Sequence, residues 1–521
     1  MEESVPSQDV VIRGEGLRTE ELVRLARSPE TTVRLDDEAR LRMQKSRDYI
    51  ESRLRKGEVM YGVNTGFGAF SSVRISDTEI EQLQRNLIRS HSVGVGEPFS
   101  LEQTRAMMAL RANALARGHS GIRPEVVDKI LEFLNKNVIP FIPSQGSVGA
   151  SGDLAPLSHL ALSLIGEGKV WGGDGSPIET AVLLEKKQIK PIELKAKEGL
   201  SLINGCQVMT AVGLLGLWQA QRLLKIADIA GAMSLEALKG SRRAFDPLIS
   251  ATRPHRGEAL TAANLRALLR DSSAIGDSHV SCNKVQDAYS LRCMPAVHGA
   301  VKDAVAYAIR VLETEANSST DNPLVFAEEN KVLSCGNFHG MPVAHALDFA
   351  AVAMTSLASI SEARISKLIN PAMSELPAFL AANGGLHSGH MIVQVAAASL
   401  VSENKVLAHP ASVDTIPTSA DKEDHVSMGT IAARKFVSIV QNTEKVLAME
   451  LLCAAQGLGF HEPLRPSEPL QAVLGEIRKF VPFAKEDRVF HNDIAAILQL
   501  IEKNAIVDAA EQLTGELQCQ E

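Results

Sequence analysis

The chain has 521 residues, and its 45% content of apolar residues is enough to bury a large core. Its 54 Lys and Arg against 62 Asp and Glu give a formal net charge of -8, which argues against a nucleic-acid-binding protein, since those carry a basic surface. The six cysteines include no Cys-x-x-Cys pair, so we predict neither a disulfide framework nor a zinc site. The acidic, polar first residues and the absence of an uninterrupted apolar run of about eighteen residues predict a cytoplasmic protein without a membrane span.

Apolar residues spaced three and four apart predict helices in the first part of the chain, at residues 36–56, 78–91, 101–117 and 125–135. Proline and glycine then cluster at residues 139–152 and again at 171–177. The second cluster predicts a small hairpin or an irregular excursion.

One polar motif precedes the helix predicted at residues 78–91, and a histidine ends that helix. Residues 61–68, YGVNTGFG, hold two glycines at dinucleotide-loop spacing, but Ser71 stands where a third glycine is needed, so we predict a loop that presents Tyr61 to a cavity. His91 follows Ser90 at a predicted helix end. By itself such a histidine is more often a cap or a satisfied core residue than a ligand-binding group.

The most informative string is GSVGASGDLAPL at residues 146–157. Its Ala150-Ser151-Gly152 tripeptide can cyclise: the Gly152 amide nitrogen attacks the Ala150 carbonyl, and loss of water, including the Ser151 hydroxyl, leaves a ring with an exocyclic methylene. Ordinary side chains include no strong carbon electrophile, so a reaction that needs one must use a cofactor or build one. Asp153 is a candidate proton acceptor beside that ring. The alternative is a glycine-rich loop before a helix.

Long Ala- and Leu-rich runs follow at residues 208–238, 300–316, 343–368 and 426–457. They are apolar on more than one face, which is typical of helices inside a bundle. We therefore predict an all-α fold: a long antiparallel helical bundle at residues 206–521, with a smaller, mixed, loop-rich catalytic region at residues 1–205.

Polar residues also occur near the starts of these runs. Asn204 comes just before the first, where an N-cap role is the simple alternative. Gln286, Tyr289 and Arg292 recur every three residues, which predicts one side of a helical turn. A guanidinium is the natural clamp for a carboxylate, and a tyrosine of lowered pKa can accept a proton.

Three further patches hold candidate residues. NSSTDNP at residues 317–323 contains Asn322, and GNFHG at 336–340 contains Phe338, for which core packing is the default. Residues 410–429 contain Glu423, which alone could interact with a helix dipole. The pair His387 and His390 lacks a clear third ligand, so we predict no metal.

Together these patches resemble the aromatic amino acid ammonia-lyases over about residues 11–470. The resemblance implies a 4-methylideneimidazole-5-one group formed autocatalytically from Ala150, Ser151 and Gly152, with Asp153 beside it. It also implies a homotetramer in which each active site collects residues from three subunits.

The resemblance implies a role for each candidate residue. Tyr61, on a mobile loop, or Tyr289 takes the β-proton, and the sequence leaves open which. Arg292 and Asn204 hold the substrate carboxylate, Gln286 belongs to the substrate-binding set, and Phe338 packs near the ring. One departure is Ala296, where the family often has Gln, which removes a neighbouring hydrogen bond.

The substrate is indicated by His91 after Ser90 and by Glu423, which resemble the members of the family that act on histidine. A buried carboxylate left unpaired beside a phenyl ring would cost roughly several kcal/mol, whereas an imidazole can pair with it. The implied reaction is elimination of ammonia from L-histidine to give trans-urocanate, the first step of histidine degradation.

Two alternatives stay open. A phenylalanine or tyrosine ammonia-lyase or a 2,3-aminomutase of the same fold would give other products. A catalytically silent helical assembly would keep an intact Ala-Ser-Gly backbone and show no absorbance from the ring.

Overall fold

The computed structural model describes residues 9–66, 68–70, 72–76, 78–270, 273–278 and 285–519. These residues are mostly helical, which confirms the predicted all-α class. Phe67 of the Tyr61 loop and residues 282–284 of the Tyr289 motif lie outside the described residues.

The α-helices of the first part are Thr19–Arg27 (α1), Asp37–Arg55 (α2), Ile80–His91 (α3), Leu101–Ala116 (α4), Pro124–Asn135 (α5), Leu154–Leu164 (α6), Thr180–Lys186 (α7) and Glu198–Ile203 (α8). Those that follow are Gln207–Ala237 (α9), Pro247–Thr252 (α10), Arg256–Leu269 (α11), Ala274–Asp277 (α12), Tyr289–Arg292 (α13), Met294–Ala316 (α14), Met341–Ile369 (α15), Met391–Leu407 (α16), Gly429–Gly459 (α17), Glu468–Arg478 (α18), Phe490–Glu502 (α19) and Ala505–Thr514 (α20). Short 3-10 helices lie at Gly68–Phe70, Arg242–Phe245 and Ala378–Leu380.

The strands form small two-stranded sheets. The pairs are Val10–Ile12 (β1) parallel to Val33–Leu35 (β2), and, antiparallel, Val95–Pro98 (β3) with Pro143–Gln145 (β4), Lys169–Trp171 (β5) with Pro177–Glu179 (β6), and Leu324–Phe326 (β7) with Lys331–Leu333 (β8). The β5–β6 pair confirms the hairpin predicted around residues 171–177, with Val170 opposite Ile178.

Local sequence explains where the early helices begin. Asp36 caps α2 by accepting hydrogen bonds from the backbone of Glu38 and Ala39. Ser100 and Gln103 form a capping box at the start of α4, and α5 begins at Pro124, whose missing N–H costs nothing at a first helical position. These signals account for helix bounds close to those predicted from periodicity.

The contacts divide the chain into two compact units. The first contains Met1–Gly216, Ile309–Asp348 and Pro410–Arg434; the second contains Leu217–Ala308, Phe349–His409 and Lys435–Glu521. Each unit is therefore built from separate parts of the chain. The division at residue 205 stays a prediction.

In the second unit, long helices meet around buried charges. Asp228 of α9 binds Nδ1 of His298 at 2.8 Å and Nζ of Lys302 at 2.6 Å, both on α14. Arg364 of α15 pairs with Glu450 of α17, its Nε lying 2.5 Å from Oε1. Removing one partner of such a fully buried pair is strongly destabilising, because it leaves the other charge without a counter-ion.

Helix directions in this unit are mixed. Asp228 contacts Lys302, and a Cβ at Gly231 would meet Met294, so α9 and α14 run antiparallel. By contrast, Gln219 binds Glu444 and Ser234 binds Glu450, so α9 and α17 run in the same direction.

One described helix, α15, passes a length and composition test for crossing a membrane. However, 61% of its most apolar stretch is buried within the protein. The core helices of soluble proteins have the same composition, so this helix gives weak support for a membrane span.

Candidate active site

The Ala150-Ser151-Gly152 tripeptide lies in a bend between β4 and α6, held against the chain just before α9. Gly152 has a φ of +77° and forms a bridge with Gly205, and the next residue, Asp153, donates its backbone N–H to the Gly205 carbonyl at 2.7 Å. A Cβ at position 152 would overlap that carbonyl oxygen. Only glycine fits this left-handed, close-packed position.

The carboxylate of Asp153 is buried directly behind the tripeptide. Its Oδ2 accepts the backbone N–H groups of Val208 at 3.0 Å and Met209 at 2.9 Å, in the first turn of α9. Its Oδ1 accepts from the hydroxyls of Thr430 and Ser147. Burial raises the pKa of Asp153 to about 6 despite these hydrogen bonds, so the group can take or give a proton near neutral pH.

A cavity of about 850 Å³ opens in front of the tripeptide, within the first unit. Its polar lining includes five of the predicted site residues: Tyr61, His91, Ser151, Asn204 and Glu423. Leu83, Leu87, Leu154 and Leu200 supply apolar walls. A smaller cavity of about 300 Å³ is lined by Ala150 and Gly152 and shares His91 and Glu423.

The Glu423 carboxylate is held at the tripeptide by three hydroxyl groups. Ser151 Oγ donates to Glu423 Oε1 at 3.0 Å. Thr418 Oγ1 and Ser419 Oγ donate to Oε2 at 2.8 and 2.7 Å. This arrangement fixes an acceptor beside Ser151 in the wall of the cavity.

His91 ends α3 with its ring turned back onto that helix. Its Nδ1 lies 2.9 Å from the Leu87 carbonyl oxygen, and burial lowers the pKa of the imidazole. The ring is therefore neutral at pH 7, with its proton on Nδ1 and Nε2 left as an acceptor.

Tyr61 and Asn204 complete the polar wall. The Tyr61 hydroxyl is within 3.4 Å of the Gly68 backbone N–H, which donates to it. Asn204 lies between α8 and α9, where the prediction placed it, and its Nδ2 donates to Asp321 Oδ1 and to the Asn322 carbonyl, both at 3.2 Å.

The Tyr289 motif belongs to the second unit. None of Gln286, Tyr289 and Arg292 is among the described residues that line the cavity. The Tyr289 side chain is 71% exposed, with the Arg292 guanidinium 4.6 Å from its ring centroid.

The prediction that these three residues share one helical turn is wrong. The backbone at Ala288 is extended, with φ -57° and ψ 152°, so α13 starts only at Tyr289 and leaves Gln286 outside it. Phe338 is likewise absent from the described cavity lining, and its carbonyl accepts from the Cys206 thiol at 3.0 Å.

Several residues around the site escaped the sequence-based prediction. Lys197 and Asp321 form a buried ion pair of 2.9 Å behind Asn204, while Thr418 and Ser419 orient Glu423. Asp321 and the two hydroxyl residues lay inside patches already singled out, but nothing in the sequence distinguishes Lys197 from a surface lysine. Over the described part of the chain, no group of three or more His, Cys, Asp or Glu side chains is arranged to hold a metal ion.

Comparison with known proteins identifies the family. The model of the aromatic amino acid lyase family matches residues 17–479. Histidine ammonia-lyase from Sorangium cellulosum is 55% identical over 489 residues, which are 92% of this chain and 95% of that protein. The chain therefore belongs to the aromatic amino acid lyase family, which confirms the resemblance predicted from the sequence.

Solved structures match over almost the full length. The crystal structure of histidine ammonia-lyase from Trypanosoma cruzi has a TM-score of 0.91 at 44% identity, covering 98% of this chain and 96% of that one. Tyrosine aminomutase from Streptomyces globisporus has a TM-score of 0.93 at 38% identity, covering 98% and 100%. The fold is thus common to ammonia-lyases and aminomutases.

Proposed function

We propose that this chain is a carbon–nitrogen lyase that eliminates ammonia from L-histidine to give trans-urocanate, the first step of histidine degradation. The observation that carries the proposal is the hydrogen bond from Ser151 to Glu423, beside His91 in one cavity. It supports the proposal because a carboxylate suited to pairing with an imidazole lies next to the tripeptide that can cyclise. The histidine ammonia-lyases that match nearly the whole chain at about 50% identity support the same substrate.

The surroundings of the tripeptide fit a self-formed 4-methylideneimidazole-5-one group. Gly152 occupies a left-handed bend that admits no side chain, and Asp153 places a carboxyl group of pKa about 6 directly behind it. Ala150, Ser151 and Gly152 would form the ring. Once formed, such a group supplies the carbon electrophile that side chains do not provide.

Substrate recognition is assigned to two acceptors. Glu423 is oriented by Thr418 and Ser419, and His91 presents Nε2 because its Nδ1 is engaged by the Leu87 carbonyl. A histidine imidazole donates one N–H when neutral and two when protonated, whereas a phenyl ring donates none and would leave both acceptors unpaired. This favours histidine over phenylalanine.

The remaining roles are assigned from the family resemblance. We assign the substrate carboxylate to Arg292, with Gln286 in the same binding set, and the β-proton to Tyr289 or Tyr61; Phe338 packs near the ring. The high exposure of Tyr289 supports a homotetramer in which one chain's Tyr289 motif serves another chain's cavity. We place this enzyme in the cytoplasm and assign it no metal.

The test is a spectrophotometric assay of the purified protein with L-histidine, L-phenylalanine and L-tyrosine in parallel. Urocanate from histidine alone, lost in Ser151→Ala, is the expected result. Cinnamate or coumarate would contradict the assignment of His91 and Glu423. No product from any of the three would favour either an aminomutase, whose β-amino acid product this assay does not detect, or a silent assembly.

A further inference from the structure

We infer that ring formation also completes the imidazole-binding site, because it removes the Ser151 hydroxyl that occupies the Glu423 oxygen needed by the substrate. The inference rests on the proposed function, in which residues 150–152 cyclise and Glu423 binds an imidazole. It adds that a chain whose tripeptide is still intact binds the imidazole of the substrate only weakly.

The two oxygens of the Glu423 carboxylate have different partners. Oε2 accepts from Thr418 Oγ1 at 2.8 Å and from Ser419 Oγ at 2.7 Å, which uses both of its lone pairs. Oε1 accepts from Ser151 Oγ at 3.0 Å, its one donor among the residues that the structure describes. Oε1 is therefore the oxygen through which Glu423 can bind a ligand, and the Ser151 hydroxyl competes for it.

The loop that carries Glu423 fixes the position of its side chain. Thr418 and Glu423 exchange two backbone hydrogen bonds, of 3.0 and 3.3 Å, across the loop. Between them, Ser419, Ala420 and Asp421 have φ angles of +54°, +54° and +61°, a left-handed conformation that residues other than glycine rarely adopt. Such strain persists only where the surrounding contacts determine the backbone. The carboxylate therefore stays beside the tripeptide before and after ring formation.

Ring formation removes the hydroxyl donor itself. As the Gly152 nitrogen bonds to the Ala150 carbonyl carbon, the carbonyl oxygen leaves as water with the amide protons of Gly152 and Ser151. In the second dehydration the Cβ–Oγ bond of Ser151 breaks, the electron pair of its Cα–H bond forms the methylene double bond, and hydroxide leaves as water with that proton. Neither Oγ nor its hydrogen remains, so Glu423 Oε1 loses its donor.

The acceptor that is set free lies where a ligand can reach it. Ser151 and Glu423 both line the larger cavity, and Glu423 is the only carboxylate among the described residues of that lining. A carboxylate oxygen without its internal donor gains more from a ligand N–H, because no existing hydrogen bond has to be displaced. The imidazole site and the electrophile therefore arise in the same step.

The test measures the affinity of the full-length chain for imidazolepropionate, which is histidine without its amine and so cannot add to an electrophile. Asp153→Asn keeps the Ser151 hydroxyl but removes the proton acceptor beside the tripeptide. An asparagine there can accept from the backbone of Val208 and Met209 and donate to the hydroxyl oxygen of Thr430, so the local contacts are kept. Intact-mass spectrometry identifies chains that have lost no water.

Adding Ser151→Ala to Asp153→Asn removes the hydroxyl alone. We expect calorimetry to show that imidazolepropionate then binds about tenfold more tightly. In a background that also carries Glu423→Gln, the same serine change should alter the affinity by less than about twofold, because the charged acceptor is gone.

Equal affinities with and without the Ser151 hydroxyl would overturn the inference. So would a tenfold gain that persists with Glu423→Gln, since it would then come from added space and not from a freed acceptor. Gly152→Ala is the second uncyclised background, in which the same comparison is made if Asp153→Asn loses water or does not fold. Urocanate formation by the unmodified chain tests the proposed function separately, so the two failures are distinguishable.

Discussion

Ser151 and Glu423 are 272 positions apart in the chain, yet the Ser151 hydroxyl donates to the Glu423 carboxylate at 3.0 Å. This contact joins the residue that would be consumed in ring formation to the residue that would recognise the substrate ring. A single hydrogen bond therefore connects the tripeptide that can cyclise to the residue proposed to bind the imidazole of the substrate. It also ties the segment that holds residues 418–423 to the loop before α6.

The first prediction concerns Glu423. Glu423→Gln keeps the shape but replaces a charged acceptor by an amide, so we expect kcat/KM for L-histidine to fall about 10- to 100-fold. Asp424→Asn is the control, because that neighbouring carboxylate is exposed and does not line the cavity. Equal activity of the two variants would contradict a role for Glu423 in binding the imidazole.

The second prediction concerns the left-handed bend. Gly152→Ala adds a Cβ that overlaps the Gly205 carbonyl and forces an alanine to a φ of +77°, which costs about 1–2 kcal/mol before the overlap is counted. We expect a lower melting temperature and, by intact-mass spectrometry, no loss of water from the tripeptide. Gly173→Ala, which has open space around it, should leave both unchanged.

The third prediction tests shared active sites. If Tyr289 is the residue that takes the β-proton, Ser151→Ala and Tyr289→Phe should each be inactive alone, but co-expression in one cell should restore activity. If each site takes these residues from different chains, roughly a quarter of the sites in random mixed assemblies are intact. Ser151→Ala co-expressed with Gly152→Ala should restore nothing, because both changes fall in one tripeptide. Failure of the first pair to recover activity would mean that a single chain supplies both residues.

The fourth prediction is a pH dependence of stability from Glu236 in the second unit. This buried carboxylate accepts the Ser467 backbone N–H at 3.0 Å, and burial raises its pKa to about 7. A raised pKa means that the folded state favours the protonated acid, so stability is greatest below the ordinary pKa and is lost as pH rises through about 7.

Glu236→Gln does not titrate. Its free energy of unfolding relative to the parent should therefore rise by on the order of 2–3 kcal/mol between about pH 5 and about pH 8.5, as measured by denaturant unfolding. Glu486→Gln, at an exposed position, serves as the control and should show no such trend. A difference independent of pH would show that Glu236 is not the titrating group.

Local patterns predicted much of the fold. The bounds of α9 and α15 fall within two residues of the predicted runs, because Ala- and Leu-rich periodicity is a property of the segment itself. α14 begins at Met294, six residues before the predicted start at residue 300, because Met294 and Pro295 belong to the helix but add no periodic apolar signal. The prediction that Gln286, Tyr289 and Arg292 share one helical turn was wrong for a related reason, since residue spacing alone does not reveal the extended backbone at Ala288.

The sequence by itself determined what depends on covalent neighbours: the tripeptide that can cyclise, the carboxylate that follows it, and the family. Only the tertiary structure decided what depends on distant partners and on burial. It paired Ser151 with Glu423, raised the pKa of Asp153 to about 6, and set the buried Lys197–Asp321 ion pair against the Asn204 amide, whose Nδ2 donates to Asp321. Hydrogen-bond direction and desolvation are set by atoms far apart in the chain, so no local pattern encodes them.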